Sequence, residues 1–220
     1  MPGGNVYNRF VHLLTIAALW VTSTLAIVGA DKKIRWLEVV FKPITTLLFF
    51  VIIGWPETTF ARWVTAGIVF SLVGDIALLG NSNRAFLIGL GAFLLAHVTY
   101  IIAFLGVAVW SPHLLLVAPI MLASTLLLLR AIWKGAAGTR APAIAYAVAI
   151  SVMVVSAWAT IRGPLAMAPF AAVGATLFYV SDSSLALSHF RKPIPHIPLL
   201  AMGVYWLGQL GIAIAASASF

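Results

Sequence analysis

Residues 62–80 read RWVTAGIVFSLVGDIALLG. A helix needs roughly 20 apolar residues to cross the hydrocarbon of a bilayer. This stretch has that length, begins at Arg62, and carries one charge inside it, Asp75. It reads as a membrane span with a carboxylate in it. Seven more stretches of the same kind lie near Phe10–Gly29, Glu38–Gly54, Ala85–Val109, His113–Trp133, Pro142–Ile161, Ala166–Ser188 and Pro198–Ala218. Together they take up roughly 160 residues, which leaves no loop long enough to form a soluble domain. The predicted fold is all-α: a single bundle of eight transmembrane helices over residues 1–220.

The composition agrees. Apolar residues make up 63% of the 220, and charged residues 8%, where a soluble domain carries roughly a quarter. A soluble enzyme, a disordered chain and a nucleic-acid binder are all disfavoured on this count. The chain has no Cys, so disulfides, thiolate metal sites and Cys nucleophiles are excluded. The first span has Arg9 before it and a small-residue end at Gly29-Ala30, as a signal peptide would. It is longer than the 7–15-residue core of such a peptide, so it is expected to stay as a span.

The net charge of +8 reads as topology rather than phosphate binding. With eight spans, Arg9, Arg62 and Arg162 lie on the side of the termini. Lys32, Lys33, Arg35, Arg84, Arg130, Lys134, Arg140, Arg191 and Lys192 lie on the other. Cytoplasmic loops are enriched in Lys and Arg, so both termini are expected outside the cytoplasm.

Of the five acids, Asp31, Glu38 and Glu57 sit at span edges or in loops, while Asp75 and Asp182 lie inside spans. Intramembrane carboxylates are costly, face the bundle interior and mark function by default. Asp75 precedes Arg84 by nine residues, and Asp182 precedes Arg191 by nine. At 1.5 Å per residue, each is expected roughly 13 Å below the basic rim, on helices that run the same way. The two carboxylates are therefore expected to meet in the cytoplasmic half of the membrane.

Other polar groups accompany them. Lys42 lies inside the second span and is either a partner for a carboxylate or a snorkelling interfacial Lys. His97 and Tyr100 share a helix face, as do Tyr179 and Asp182, and Tyr205 and Gln209. These are read either as supporting site residues or as interhelical hydrogen-bonding groups. Gly67, Ser71 and Gly74 form a small-residue stripe with Asp75, and Gly174 and Ala175 form one with Tyr179 and Asp182. Such stripes let helices approach closely. Ser71–Asp75 and Phe178–Asp182 echo each other, each in the third helix of a four-helix half, an arrangement that would make a parallel repeat.

Five motifs then fall in order: Lys42-Pro43-Ile44-Thr45-Thr46, Ser71 to Leu79, Phe86 to Tyr100, Gly174 to Ala186, and Tyr205-Trp206-Leu207-Gly208-Gln209. In order and spacing the chain resembles the YhhN family of membrane proteins, which includes the animal lysoplasmalogenases, from about residue 38 to the C-terminus. The resemblance implies hydrolysis of the vinyl-ether bond of lysoplasmalogens to a fatty aldehyde and a glycerophospho-alcohol. It places the proposed catalytic aspartates on Asp75 and Asp182. It also implies a lysolipid substrate among membrane lipids. No nucleic-acid partner, no cofactor and no metal are expected, and the membrane is expected to be a bacterial inner membrane.

The chemistry fits two carboxylates. Protonation of the vinyl-ether β-carbon gives an oxocarbenium ion, which needs a placed acid and a nearby anion, much as in a glycosidase. Two adjacent carboxylates in a low dielectric do not readily both ionise, so the pair holds a proton between them. Three other readings stay open on sequence alone. An intramembrane aspartyl protease also pairs two aspartates. A lipid or proton-coupled transporter also buries Asp and Lys. A metal hydrolase would use Asp75, Asp182 and His97.

Overall fold

The computed structural model describes residues 3–191 and 196–217, with side chains from residue 11 onward. The side chain of Arg9 and the whole of Lys192, both used in the charge count, lie outside the described residues. The helices are α1 Gly3–Asp31, α2 Arg35–Ile53, α3 Thr59–Ala77, α4 Asn83–Leu105, α5 Leu114–Ile132, α6 Arg140–Trp158, α7 Ala168–Phe190 and α8 Ile197–Ala216. All eight are long and apolar enough to cross a membrane. Among the described residues there is no strand. The expected all-α bundle of eight spans is therefore observed.

The edges differ where local hydrogen bonding decides them. Helix α2 starts at Arg35, three residues before the expected Glu38. Arg35 donates Nη2 to the Leu79 carbonyl at the end of α3, and its Nη1 lies 3.4 Å from Glu38 Oε2. Helix α3 stops at Ala77 rather than Gly80, and Ser82 starts α4 by accepting the Ala85 N–H at 3.1 Å. This alters the depth argument. Asp75 sits two residues before the end of its helix, and Asp182 sits eight before the end of α7. The nine residues from Asp75 to Arg84 include a turn that does not rise 1.5 Å per residue, so equal depth does not follow from equal spacing.

Glycines set the closest packing. A Cβ on Gly67 would lie 2.2 Å from the Tyr100 ring, and one on Gly74 would lie 2.6 Å from the Phe93 ring. The α3 stripe thus seats two aromatic rings of α4. Between α7 and α8 the backbones themselves meet: a Cβ on Gly174 would lie 2.6 Å from the Gly208 carbonyl, and one on Gly208 would lie 2.8 Å from the Gly174 carbonyl. Only residues without a side chain allow this approach.

The packing partners repeat between halves. Helix α3 lies on α4 as α7 lies on α8, α2 lies on α3 as α6 lies on α7, and α2 meets α8 as α6 meets α4. The match is partial: α1 on α8, α3 on α8 and α5 on α7 have no counterpart of similar extent in the other half. Outside this core, Trp20, Leu47, Leu116, Leu127 and Leu200 are exposed. In a bilayer such side chains meet lipid rather than water.

Candidate active site

Asp75 is 1% exposed and surrounded by donors. Thr46 on α2 donates Oγ1 to its Oδ2 at 2.6 Å, and Tyr205 on α8 donates its hydroxyl to the same oxygen at 2.9 Å. Lys42 Nζ lies 3.6 Å from Oδ1. A second row of side chains holds the first. Gln209 donates Nε2 to Ser71 Oγ at 2.8 Å and accepts the Tyr100 hydroxyl on Oε1 at 2.7 Å. Of the two readings of Lys42, the structure selects the ion pair, since this side chain is buried against Asp75 rather than extended to an interface.

Asp182 on α7 has its own set. Tyr146 on α6 donates its hydroxyl to Asp182 Oδ2. His97 on α4 is fully buried, and its Nε2 lies 3.7 Å from the same oxygen, beyond hydrogen-bond length. The His97 ring stands edge-on to Tyr146 and Phe178, at centroid separations of 5.0 and 4.9 Å. The two aspartates are thus held by equivalent helices of the two halves. Asp75 takes Thr46 and Lys42 from α2 and Tyr205 from α8, while Asp182 takes Tyr146 from α6 and faces His97 on α4.

Both carboxylates line one cavity of about 380 Å³. Its wall is apolar, formed by Leu90 and Phe93 of α4, Ala147 and Ile150 of α6 and Leu185 of α7. It extends to the end of the bundle that carries the basic loops. There Glu38, Phe86, His189 and Pro198 are among its lining residues, and Phe86 and His189 stack at 4.2 Å. Asp182 is the carboxylate that faces the cavity more openly, with a side chain 12% exposed against 2% for Asp75.

The other candidates are distributed unevenly. Lys42 and Tyr205 line the cavity. Gln209 and Tyr100 stand behind it, and Gln209 reaches Asp75 through Tyr205, whose hydroxyl lies 3.4 Å from Gln209 Nε2. His97 is not in the cavity wall. Tyr179 turns away from Asp182 and exchanges a 3.0 Å hydrogen bond with Ser124 of α5, because three helix residues still separate two side chains by about 60° around the axis. Among the described residues, no three His, Asp or Glu side chains gather closely enough to hold a metal ion. Two first-rank partners were not singled out from sequence. Thr46 follows Lys42 by four, so it lies on the same helix face. Tyr146 is the lone tyrosine of a span whose other polar residues are Ser151, Ser156 and Thr160.

Fold and site together define a polytopic helical membrane protein with two intramembrane carboxylates on one cavity that reaches its basic end. The YhhN family model matches residues 37–216, and the chain belongs to the YhhN family. It is 32% identical over 188 residues to human "Lysoplasmalogenase TMEM86B", which covers 84% of this chain and 78% of that protein. It is 29% identical over 209 residues to "Uncharacterized membrane protein YhhN" of Escherichia coli O157:H7, covering 90% and 95%. To "Lysoplasmalogenase homolog" of Dictyostelium discoideum it is 28% identical over 220 residues, covering 83% and 72%. No solved structure gives a significant match.

Proposed function

We propose that this chain is a lysoplasmalogenase-type hydrolase that cleaves the vinyl-ether bond of single-chain ether lipids with Asp75 and Asp182. The observation that carries this reading is the placement of both intramembrane aspartates on one apolar-walled cavity. The relatives named lysoplasmalogenase support the substrate class.

The reaction joins one water to one vinyl ether. Asp182, the carboxylate more open to the cavity, delivers a proton to the β-carbon, and the C=C electron pair forms the new C–H bond. Positive charge develops on the α-carbon and ether oxygen. Asp75, with Lys42 at 3.6 Å and two hydroxyl donors, is arranged as the fixed anion beside that charge. Water then adds to the α-carbon and its proton returns to the carboxylate pair. The hemiacetal collapses: the C–O bond to glycerol breaks, the glycerol oxygen takes a proton, and a fatty aldehyde leaves. The pair ends in its starting protonation state.

The cavity suits one chain. Its volume lies near the lower end of the roughly 300–1,000 Å³ usual for small-molecule sites, which favours deacylated over two-chain lipids. The basic loops at its mouth suit a lipid phosphate. By the positive-inside rule that mouth faces the cytoplasm and both termini lie outside it, in a bacterial inner membrane.

Mass spectrometry of purified protein with matched vinyl-ether, alkyl-ether and acyl lysolipids tests the proposal. Aldehyde is expected from the vinyl ether only, with the alkyl ether bound but uncleaved. Acyl lysolipid turning over as fast as the vinyl ether would replace the cationic mechanism with a lysophospholipase reading. Cleavage of a transmembrane peptide would point to a protease.

A further inference from the structure

Lys42 is the one lysine that falls within a span; Lys32, Lys33, Lys134 and Lys192 fall between spans. An intramembrane ammonium is costly and marks function by default. Lys42 lines the cavity, and its side chain keeps 11% of its surface open. Its Nζ lies 3.6 Å from Asp75 Oδ1, an ion-pair distance rather than a hydrogen bond. The two oxygens of Asp75 are used differently. Oδ2 accepts from Thr46 and Tyr205, while Oδ1 has, among the described residues, only Lys42 beside it.

This arrangement matters because of what the reaction releases. Asp75 is the fixed anion beside the α-carbon of the vinyl ether, and the oxygen not taken up by hydroxyl donors is Oδ1. Water adds to that same α-carbon, which becomes the carbonyl carbon of the aldehyde. The aldehyde is therefore formed beside Oδ1, and so beside the Lys42 amine. Aldehydes condense with primary amines, and lysines set in apolar pockets form such Schiff bases with carbonyl compounds. Resting on the hydrolase reading above, we infer that Lys42 holds the long-chain aldehyde covalently, as a reversible Schiff base paired with Asp75.

The step balances within the ion pair. Lys42 Nζ passes one proton to Asp75 Oδ1, and the nitrogen lone pair bonds to the carbonyl carbon. The C=O electron pair moves to oxygen, which takes a second proton from the nitrogen. The resulting hydroxyl receives the proton held by Asp75 and leaves as water, while the nitrogen lone pair forms C=N. One aldehyde and one ammonium thus give one protonated imine and one water. The positive charge stays on the same nitrogen, so the pairing with Asp75 is kept. The alkyl chain lies along the apolar wall of Leu90, Phe93 and Ile150. Addition of water reverses the step and frees the aldehyde, so the site retains its product for a time.

Reductive trapping tests this. Purified wild type in detergent is incubated with hexadecanal and sodium cyanoborohydride, and modified lysines are mapped by peptide mass spectrometry. Lys42 should gain one hexadecyl group at aldehyde concentrations at least about tenfold below those that label the loop lysines, because the bound chain holds the carbonyl at the amine. Propanal, which has no chain to anchor, should show no such preference for Lys42. In Lys42→Arg, which keeps a positive partner for Asp75 but forms no imine, only the loop lysines should be labelled. Lys42 left unmodified in wild type, or modified no more readily than Lys32, Lys33 and Lys134, overturns the inference. If the Arg variant does not fold, the site-by-site comparison within wild type still decides it. A vinyl-ether lysolipid is then supplied in place of hexadecanal. Labelling by added aldehyde with no aldehyde formed from the lipid sinks the hydrolase reading alone. Aldehyde release with Lys42 unlabelled sinks the Schiff base alone.

Discussion

Lys42 and Asp75 form an ion pair of 3.6 Å inside the bundle, with side chains 11% and 2% exposed. A buried pair has a characteristic asymmetry: removing one partner leaves the other charge uncompensated. Lys42→Met should therefore cost about 3–5 kcal/mol of stability, the range for breaking such a pair. Adding Asp75→Asn should restore much of that stability without restoring turnover. Thermal unfolding in detergent checks both, and a single variant as stable as wild type would show that the pair contributes little.

Asp75→Asn and Asp182→Asn should each lower kcat by at least about a hundredfold, the low end for removing a general acid or base. Asn keeps the side-chain shape but neither delivers a proton nor holds an anion. Steady-state aldehyde release is the measurement, with size-exclusion behaviour as the control for folding. Near-normal rates in either variant would rule out the paired-carboxylate mechanism.

Tyr146→Phe removes the one hydroxyl that donates to Asp182 among the described residues while keeping the ring edge that meets His97. Hydrogen bonds to charged groups are worth about 1.5–3 kcal/mol, so kcat/KM should fall roughly tenfold to a hundredfold with little change in stability. Parallel measurements of kinetics and unfolding separate this from a packing effect. A stability loss with unchanged kinetics would make Tyr146 a purely structural group.

Gly67→Ala places a methyl where the Tyr100 ring lies, with the built Cβ at 2.2 Å from it. Overpacking of this kind costs about 1–3 kcal/mol. If Tyr100 shifts, its bond to Gln209 breaks, and Gln209 in turn supports Tyr205 and Ser71. A lower unfolding temperature together with a lower kcat is expected. Loss of stability alone, with kcat intact, would separate the Tyr100–Gln209 row from the chemistry.

Cysteine accessibility suits a chain with no native Cys. A Cys placed at Glu57 should be labelled from outside the cytoplasm, and one at Lys134 from the cytoplasmic side. The reverse pattern would invert the proposed orientation and move the cavity mouth to the opposite face of the membrane.

The number of spans, their order and the basic asymmetry of the loops were legible from residue type alone. Hydrocarbon thickness sets a helix length, and an apolar run of that length has few alternatives in a bilayer. Asp75, Asp182 and Lys42 were legible for the same reason: a charge in hydrocarbon is costly enough to stand out. The partners of those charges were decided only by tertiary structure. Spacing places Tyr179 three residues before Asp182, yet its hydroxyl reaches Ser124 on α5. Tyr146 carries no local signal beyond a polar tip, yet α6 packing on α7 brings it to Asp182. Hydropathy is a property of one segment at a time, so sequence determined the helices. Hydrogen-bond partners depend on which helix faces which and how closely, and here that follows from contacts such as Gly174 on Gly208 and Gly67 on Tyr100.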